Sequence, residues 1–215
     1  MRALLLKDFY ALKESKIVLL IMVGFAVIMA VMGSTENTGF VISYVSIIAA
    51  ALVLNALAYD EVDNGYRFLF TMPVSRREYV REKYCFALIT GLGGWVLAAV
   101  LTAAIGLIGN RQMDWGAWKL MSGSALAILL ILQAVFIPMQ LKFGTQKGKL
   151  VMILSFALVA GIGGALGSWI EMGSAVKILQ GMNIFFGVLL IAVIVLLTIS
   201  ISYNRSVRIM ERKEF

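Results

Sequence analysis

The segment from Tyr59 to Tyr84, YDEVDNGYRFLFTMPVSRREYVREKY, holds the densest polar chemistry in this 215-residue chain. Asp60, Glu61, Asp63 and Asn64 come first, then Arg67 and the apolar run Phe68, Leu69 and Phe70, then Pro73, Arg76 and Arg77. Carboxylates and guanidiniums at this density, with no nucleophile and base among them, suit electrostatic recognition of another molecule better than bond breaking. Most other catalytic chemistry is excluded by residue type. The chain has no histidine, so imidazole triads, imidazole metal sites and imidazole proton relays are absent. Cys85 is the single cysteine, so neither an intrachain disulfide nor a cysteine zinc cluster can form. There is no G-x-x-x-x-G-K-[ST] phosphate loop, no H-E-x-x-H and no G-x-S-x-G elbow. The chain is therefore expected to be no enzyme and to hold no cofactor, and energy for any uphill step must come from a partner.

These side chains need elements to position them. Val62, Tyr66, Leu69 and Phe70 recur at i, i+4, i+7 and i+8, which predicts one apolar stripe on a helix whose other side carries Asp60, Glu61, Asp63, Asn64 and Arg67. Pro73 should end that helix near Met72. Ser75 stands three residues before Glu78, the spacing of a capping box, so a second helix should start at Arg76 and run into the next apolar segment. Such a helix could rest on the lipid surface. Lipid contact alone would favour Lys and Arg, however, so Asp60, Glu61 and Asp63 point to docking on a partner. The N-terminal stretch Ala3 to Ser15 is amphipathic too, with Leu5, Phe9 and Leu12 at i, i+4 and i+7, and is expected to lie in the membrane plane.

The membrane itself is read from composition and its arrangement. Hydrophobic residues make up 61% of the chain and charged residues 14%, against roughly 45–50% and about 25% in ordinary soluble domains. Six runs carry no Asp, Glu, Lys or Arg: about 17–33, 40–58, 84–109, 120–139, 150–170 and 182–203. Each is long enough to cross a hydrocarbon core of about 30 Å as a helix, the form that pairs its backbone groups internally. The fold expected is an all-α integral membrane protein, one domain over 1–215, with six transmembrane helices.

Charge placement orients it. Arg2, Lys7, Lys13 and Lys16 precede the first span; Arg67, Arg76, Arg77, Arg81 and Lys83 separate the second from the third; Lys142, Lys147 and Lys149 follow the fourth. Arg205, Arg208, Arg212 and Lys213 end the chain, and only Arg111, Lys119 and Lys177 fall in the other connections. The positive-inside rule then puts both termini in the cytoplasm. This also accounts for the basic excess without invoking nucleic acid. The basic lead-in is too long for a cleaved signal peptide, so the first run is read as a span.

Inside the spans Asn55, Gln133 and Asn183 should face other helices, since lipid offers them no partner. No ionisable side chain lies there, which weakens any proton-coupled carrier mechanism. Gly163 with Gly167, and Gly94 with Ala98, permit close helix packing, and Pro138 is a candidate kink.

Three features together resemble the permease subunits of ABC-2 type ATP-binding-cassette transporters. One is the opening MRALLLKDFYALKESK with its Lys7–Asp8 pair. Another is the connection after the second span, where Glu61 precedes Gly65, a Leu-containing turn, the P-V-S-R run Pro73 to Arg76, and Lys83 at the mouth of the third span. The third is length and topology, so the resemblance covers essentially the whole chain. It implies that the connection after the second span is a coupling helix docked on an ATPase, with Glu61, Arg67, Phe68, Leu69 and Phe70 in contact and Gln140 to Lys149, bearing Lys142, Lys147 and Lys149, as a possible second coupling loop. It also implies two copies of an ABC ATPase subunit carrying ATP and Mg, a second permease copy as homodimer or heterodimer, and a bacterial cell membrane. Exporters of amphipathic peptides such as phenol-soluble modulins or lantibiotics are the relatives it looks most like. The short outer connections lack the extracellular domain of some drug and polysaccharide exporters. The alternatives are a non-transporting immunity or assembly module and a secondary carrier.

Overall fold

A computed structural model describes residues 2–14, 16–32, 38–62, 65–109, 114–170 and 184–213, with 2, 14, 18, 146–170 and 184–186 described as backbone only. The regular structure of the described residues is all helix: α1 (Arg2–Glu14), α2 (Lys16–Met32), α3 (Thr38–Glu61), α4 (Gly65–Leu69), α5 (Arg76–Ile108), α6 (Trp115–Ile170) and α7 (Ile184–Arg212). Among the described residues, four stretches are long and apolar enough to cross a membrane: Thr38–Glu61, Arg76–Ile108, Trp115–Thr145 and Gly187–Arg212. Leu19–Met32 is a shorter apolar helix, and the run at 150–170 falls in the backbone-only part of α6.

Several helices outrun their apolar segments. The 33 residues of α5 correspond to roughly 50 Å at 1.5 Å per residue, well beyond a hydrocarbon core of about 30 Å. Its start follows the sequence expectation closely. Ser75 is extended (φ −78°, ψ 150°), its hydroxyl accepts from the Glu78 N–H at 3.2 Å, and the Glu78 carboxylate accepts from the Ser75 N–H at 3.2 Å. Two otherwise unpaired amides are thereby satisfied.

The helix expected from Asp60 to Met72 is corrected in two respects. Asp60 and Glu61 form the last turn of α3, and α4 has only five residues. Beyond Leu69 the chain closes tighter turns, with Thr71 N–H donating to Phe68 C=O at 3.2 Å and Met72 N–H to Leu69 C=O at 3.3 Å. Pro73 disfavours the helical region for Met72, which accounts for the loosened end. The connection after the fourth span is corrected too: it is helical except at Gly144 (φ 72°, ψ 177°), where α6 breaks. A left-handed φ costs glycine nothing, and a Cβ there would overlap the Glu61 carboxylate.

Pro138 stays inside α6. Having no N–H, it leaves the Ala134 carbonyl without its helical donor. The Ser202 hydroxyl of α7 donates to that carbonyl instead, and the Tyr84 hydroxyl of α5 joins Ser202 and Ser206, at 2.9 Å from the latter. α3 is the most enclosed of the long helices, with 56% of its apolar window buried against 11% for α7. It packs on both α5 and α6. Ala49 of α3 sits so close to Gly94 of α5 that a Cβ on Gly94 would collide with it. One cluster of buried side chains, including Leu57, Tyr79, Phe86, Ile137, Leu141 and Met210, joins α3, α5, α6 and α7, and another, around Met22, Ile42, Val45 and Ala98, seats α2.

Candidate functional site

The charged residues flanking the apolar runs converge at one end of the bundle. Lys83 of α5 is fully buried and pairs with Asp8 of α1 and with Asp60 of α3, the latter at 2.7 Å. Asp60 also pairs with Lys7 of α1 and accepts from the Tyr79 hydroxyl at 3.0 Å. Glu82 is buried beside them, 3.6 Å from Lys83 Nζ, and neither of its oxygens accepts a hydrogen bond. Charges removed from water this completely persist only when paired, because each carries a desolvation penalty of several kcal/mol. The cluster thus pins α1, α3 and α5 to one another. α1 turns Leu4 and Asp8 inward and packs Leu5 and Leu12 against the same core, while Phe9 stays 42% exposed and meets Phe86 edge-on with ring centroids 5.4 Å apart.

α4 rests on this platform. Tyr66 and Leu69 face inward, and the Tyr66 and Phe70 rings meet Tyr79 at centroid distances of 5.9 and 6.0 Å. Burial pushes the Tyr66 phenol well above its ordinary pKa. Gly65 is required by close approach, since a Cβ would lie 2.6 Å from the Asp60 carbonyl oxygen. Arg67 and Pro73 are exposed, Phe68 is 68% exposed, and Met72 and Val62 are also open. Val62 leaves the expected stripe because α3 ends at Glu61 and Tyr66 and Leu69 belong to a separate helix that begins at Gly65.

The other sequence-selected residues are distributed as follows. Glu61 accepts from both the amide and the hydroxyl of Thr145, tying α3 to the α6 break. Arg76 donates to the Met210 and Glu211 carbonyls at 3.0 and 2.7 Å, capping the end of α7, and Arg77 pairs with Glu211 at 2.7 Å. Lys213 donates to the Leu141 carbonyl at 3.2 Å and stands 4.8 Å from the Tyr66 ring. Gln133 is buried and donates to the Ala87 carbonyl at 2.7 Å, joining α6 to α5. Asn55 is corrected: it is exposed, because α3 turns Val53, Ala56, Leu57 and Asp60 inward. Lys142 is exposed. Lys147, Lys149, Gly163 and Gly167 lie in α6 where only backbone is described, and Asp63 and Asn183 lie outside the described residues. Among the described residues no group of three or more His, Cys, Asp or Glu is arranged to hold a metal ion.

A family model described as ABC-2 family transporter protein matches residues 3–211. The chain belongs to the ABC-2 transporter family. No curated protein and no solved structure matches it. An ABC-2 chain is a multi-pass transmembrane permease of an ABC transporter, and membership implies an ATPase partner of the ATP-binding-cassette kind. Of the residues that carried the resemblance, Lys7, Asp8, Gly65 and Lys83 lie within this one platform, Glu61 and Arg76 tie it to α6 and α7, and Pro73 stays exposed. Tyr79, Glu82, Thr145 and Glu211 belong to the same permease platform and were not singled out by sequence reasoning. Glu82 and Lys83 did carry a signal, since charges at the mouth of a span must find partners.

Proposed function

We propose that this permease is the transmembrane half of an exporter for an apolar or amphipathic cargo, with peptide the best fit, and that it works as a dimer on two separate ATPase subunits. The docking surface is the outer edge of α4 and its turn, Arg67, Phe68 and Pro73, with both chain termini on the same cytoplasmic side. The observation that carries this reading is the division within α4: an exposed Phe68 and Arg67 backed directly by buried Tyr66 and Leu69. A large apolar side chain presented on a supported, charged edge has the make-up of an interface anchor.

The packing supports a route for motion. A push on α4 bears on Tyr79 of α5 through Tyr66 and Phe70. It reaches α3 through the Tyr79–Asp60 hydrogen bond, α1 through Lys83 and Asp8, and α7 through Arg76 and Glu211. ATP and Mg act on the partner, and nucleotide shifts the permease only by its differential affinity for two conformations of the assembly. The uncharged spans suit a cargo that needs no ionic ligand.

The test is co-expression with the candidate ATPase and Phe68→Asp. Leu69 is unsuitable because its burial would confound docking with folding. An anchor of this type contributes about 2 kcal/mol or more, so the variant should bind the ATPase roughly thirtyfold more weakly while inserting and melting like the parent. Retained ATPase capture together with cargo-stimulated hydrolysis would exclude docking at α4.

A further inference from the structure

A groove of about 580 Å³ runs between α6 and α7 and is built like an amphiphile. Its walls follow one face of each helix, from Ala134 to Phe143 on α6 and from Thr198 to Ile209 on α7. Val135, Met139 and Ile201 line the apolar stretch, and Lys142, Arg205 and Arg208, all exposed, stand at the end nearer the chain terminus. The Ser202 hydroxyl is already committed to Ala134 and Tyr84, so the floor offers little to a polar ligand. Among the described residues no carboxylate lines the groove. Arg208 also borders a neighbouring groove containing Glu211, but that carboxylate is paired with Arg77.

We infer that this groove is a binding site for one anionic phospholipid of the leaflet on the basic side, with an acyl chain along Val135, Met139 and Ile201 and the headgroup phosphate among Lys142, Arg205 and Arg208. Three features favour that occupant. The volume falls in the roughly 300–1,000 Å³ range of small-ligand sites. The basic residues lie just past the apolar runs, the depth at which headgroups sit. Three cations with no facing carboxylate among the described lining residues complement a phosphate, and basic pockets between transmembrane helices recognise anionic headgroups. None of the lining residues belongs to α4 or its turn, although Lys142 and Phe143 fall in the Gln140 to Lys149 connection, so Lys142→Gln is read together with ATPase capture.

The test is native mass spectrometry of the full chain in non-ionic detergent, titrated with phosphatidylglycerol or with phosphatidylcholine of the same acyl chains. One phosphatidylglycerol should bind per chain, in preference to phosphatidylcholine. The triple variant Lys142→Gln, Arg205→Gln, Arg208→Gln should bind it about a hundredfold more weakly, roughly fivefold per basic residue. Lys13→Gln, Lys16→Gln, Arg81→Gln makes the same change in net charge at exposed positions elsewhere and should leave binding intact. Thr198→Trp should block the acyl end and weaken binding without altering charge. Equal binding of phosphatidylcholine, or unchanged binding by the triple variant, would overturn the inference. So would saturation by glycerol phosphate alone, which marks a free-phosphate site. Displacement of the lipid by an amphipathic peptide cargo at equal concentration would assign the groove to cargo, and disulfide cross-linking of two copies through Thr198→Cys would assign it to a second chain.

Discussion

Lys83 sits at the mouth of a membrane span with none of its side chain exposed, held by Asp8 and Asp60. Its value to the fold lies less in the attraction than in what its removal leaves behind. Lys83→Met leaves the buried Asp8 and Asp60 carboxylates to share the single, half-exposed Lys7, and breaking a buried pair in this way costs up to about 3–5 kcal/mol. The expected result is a large fall in the thermal midpoint of the purified permease, with Asp8→Asn added to Lys83→Met recovering part of it. A Lys83→Met protein that melts like the parent would mean the cluster is unpaired in the membrane. Lys83 at the span mouth was legible as a sequence feature. The pairs of this cluster were not, because Asp8 and Lys83 stand 75 residues apart and Lys7 and Asp60 stand 53 apart, and helical periodicity carries no information across such separations.

At the scale of elements, two irregularities in α6 are matched by side chains from neighbouring helices. Ser202 serves the carbonyl that Pro138 frees, and Glu61 serves the amide and hydroxyl just past Gly144. Interhelical hydrogen bonds in membranes average about 0.6 kcal/mol and reach about 1.7. Ser202→Ala should therefore cost about 1 kcal/mol in the parent and less in a Pro138→Ala background, where the helical N–H returns to the Ala134 carbonyl. A double-mutant cycle reads this directly, and equal costs in both backgrounds would contradict it. Gly144→Ala should cost at least about 1–2 kcal/mol from its φ alone, with the Glu61 contact displaced as well. Denaturant unfolding in detergent measures it, and a neutral result would remove the need for a break there.

For the whole molecule, α1, the ends of α3 and α7, the start of α5 and the α6 break all meet at one end. The Lys and Arg distribution leads us to propose that this end faces the cytoplasm. With Cys85→Ser as background, Arg81→Cys should react with an impermeant thiol reagent only after the cells are opened, and Lys119→Cys in intact cells. The reverse pattern would invert the topology and detach the proposed ATPase dock from the cytoplasm.

Apolar run length was enough to establish a helical, multi-pass membrane protein, charge placement gives the expectation that its basic segments share one side, and Ser75 with Glu78 was enough to start α5. Those properties are local: they depend on residues a few positions apart and on the transfer energy of each run. The tertiary structure alone turned Asp8 and Asp60 inward, left Asn55 and Phe68 outward, and set Arg76 and Arg77 on the end of α7. The reason is that lipid and protein interior are both apolar, so an apolar stripe does not say which of the two it faces. Only contact between distant segments decides which charges are paired out of water and which remain to meet a partner.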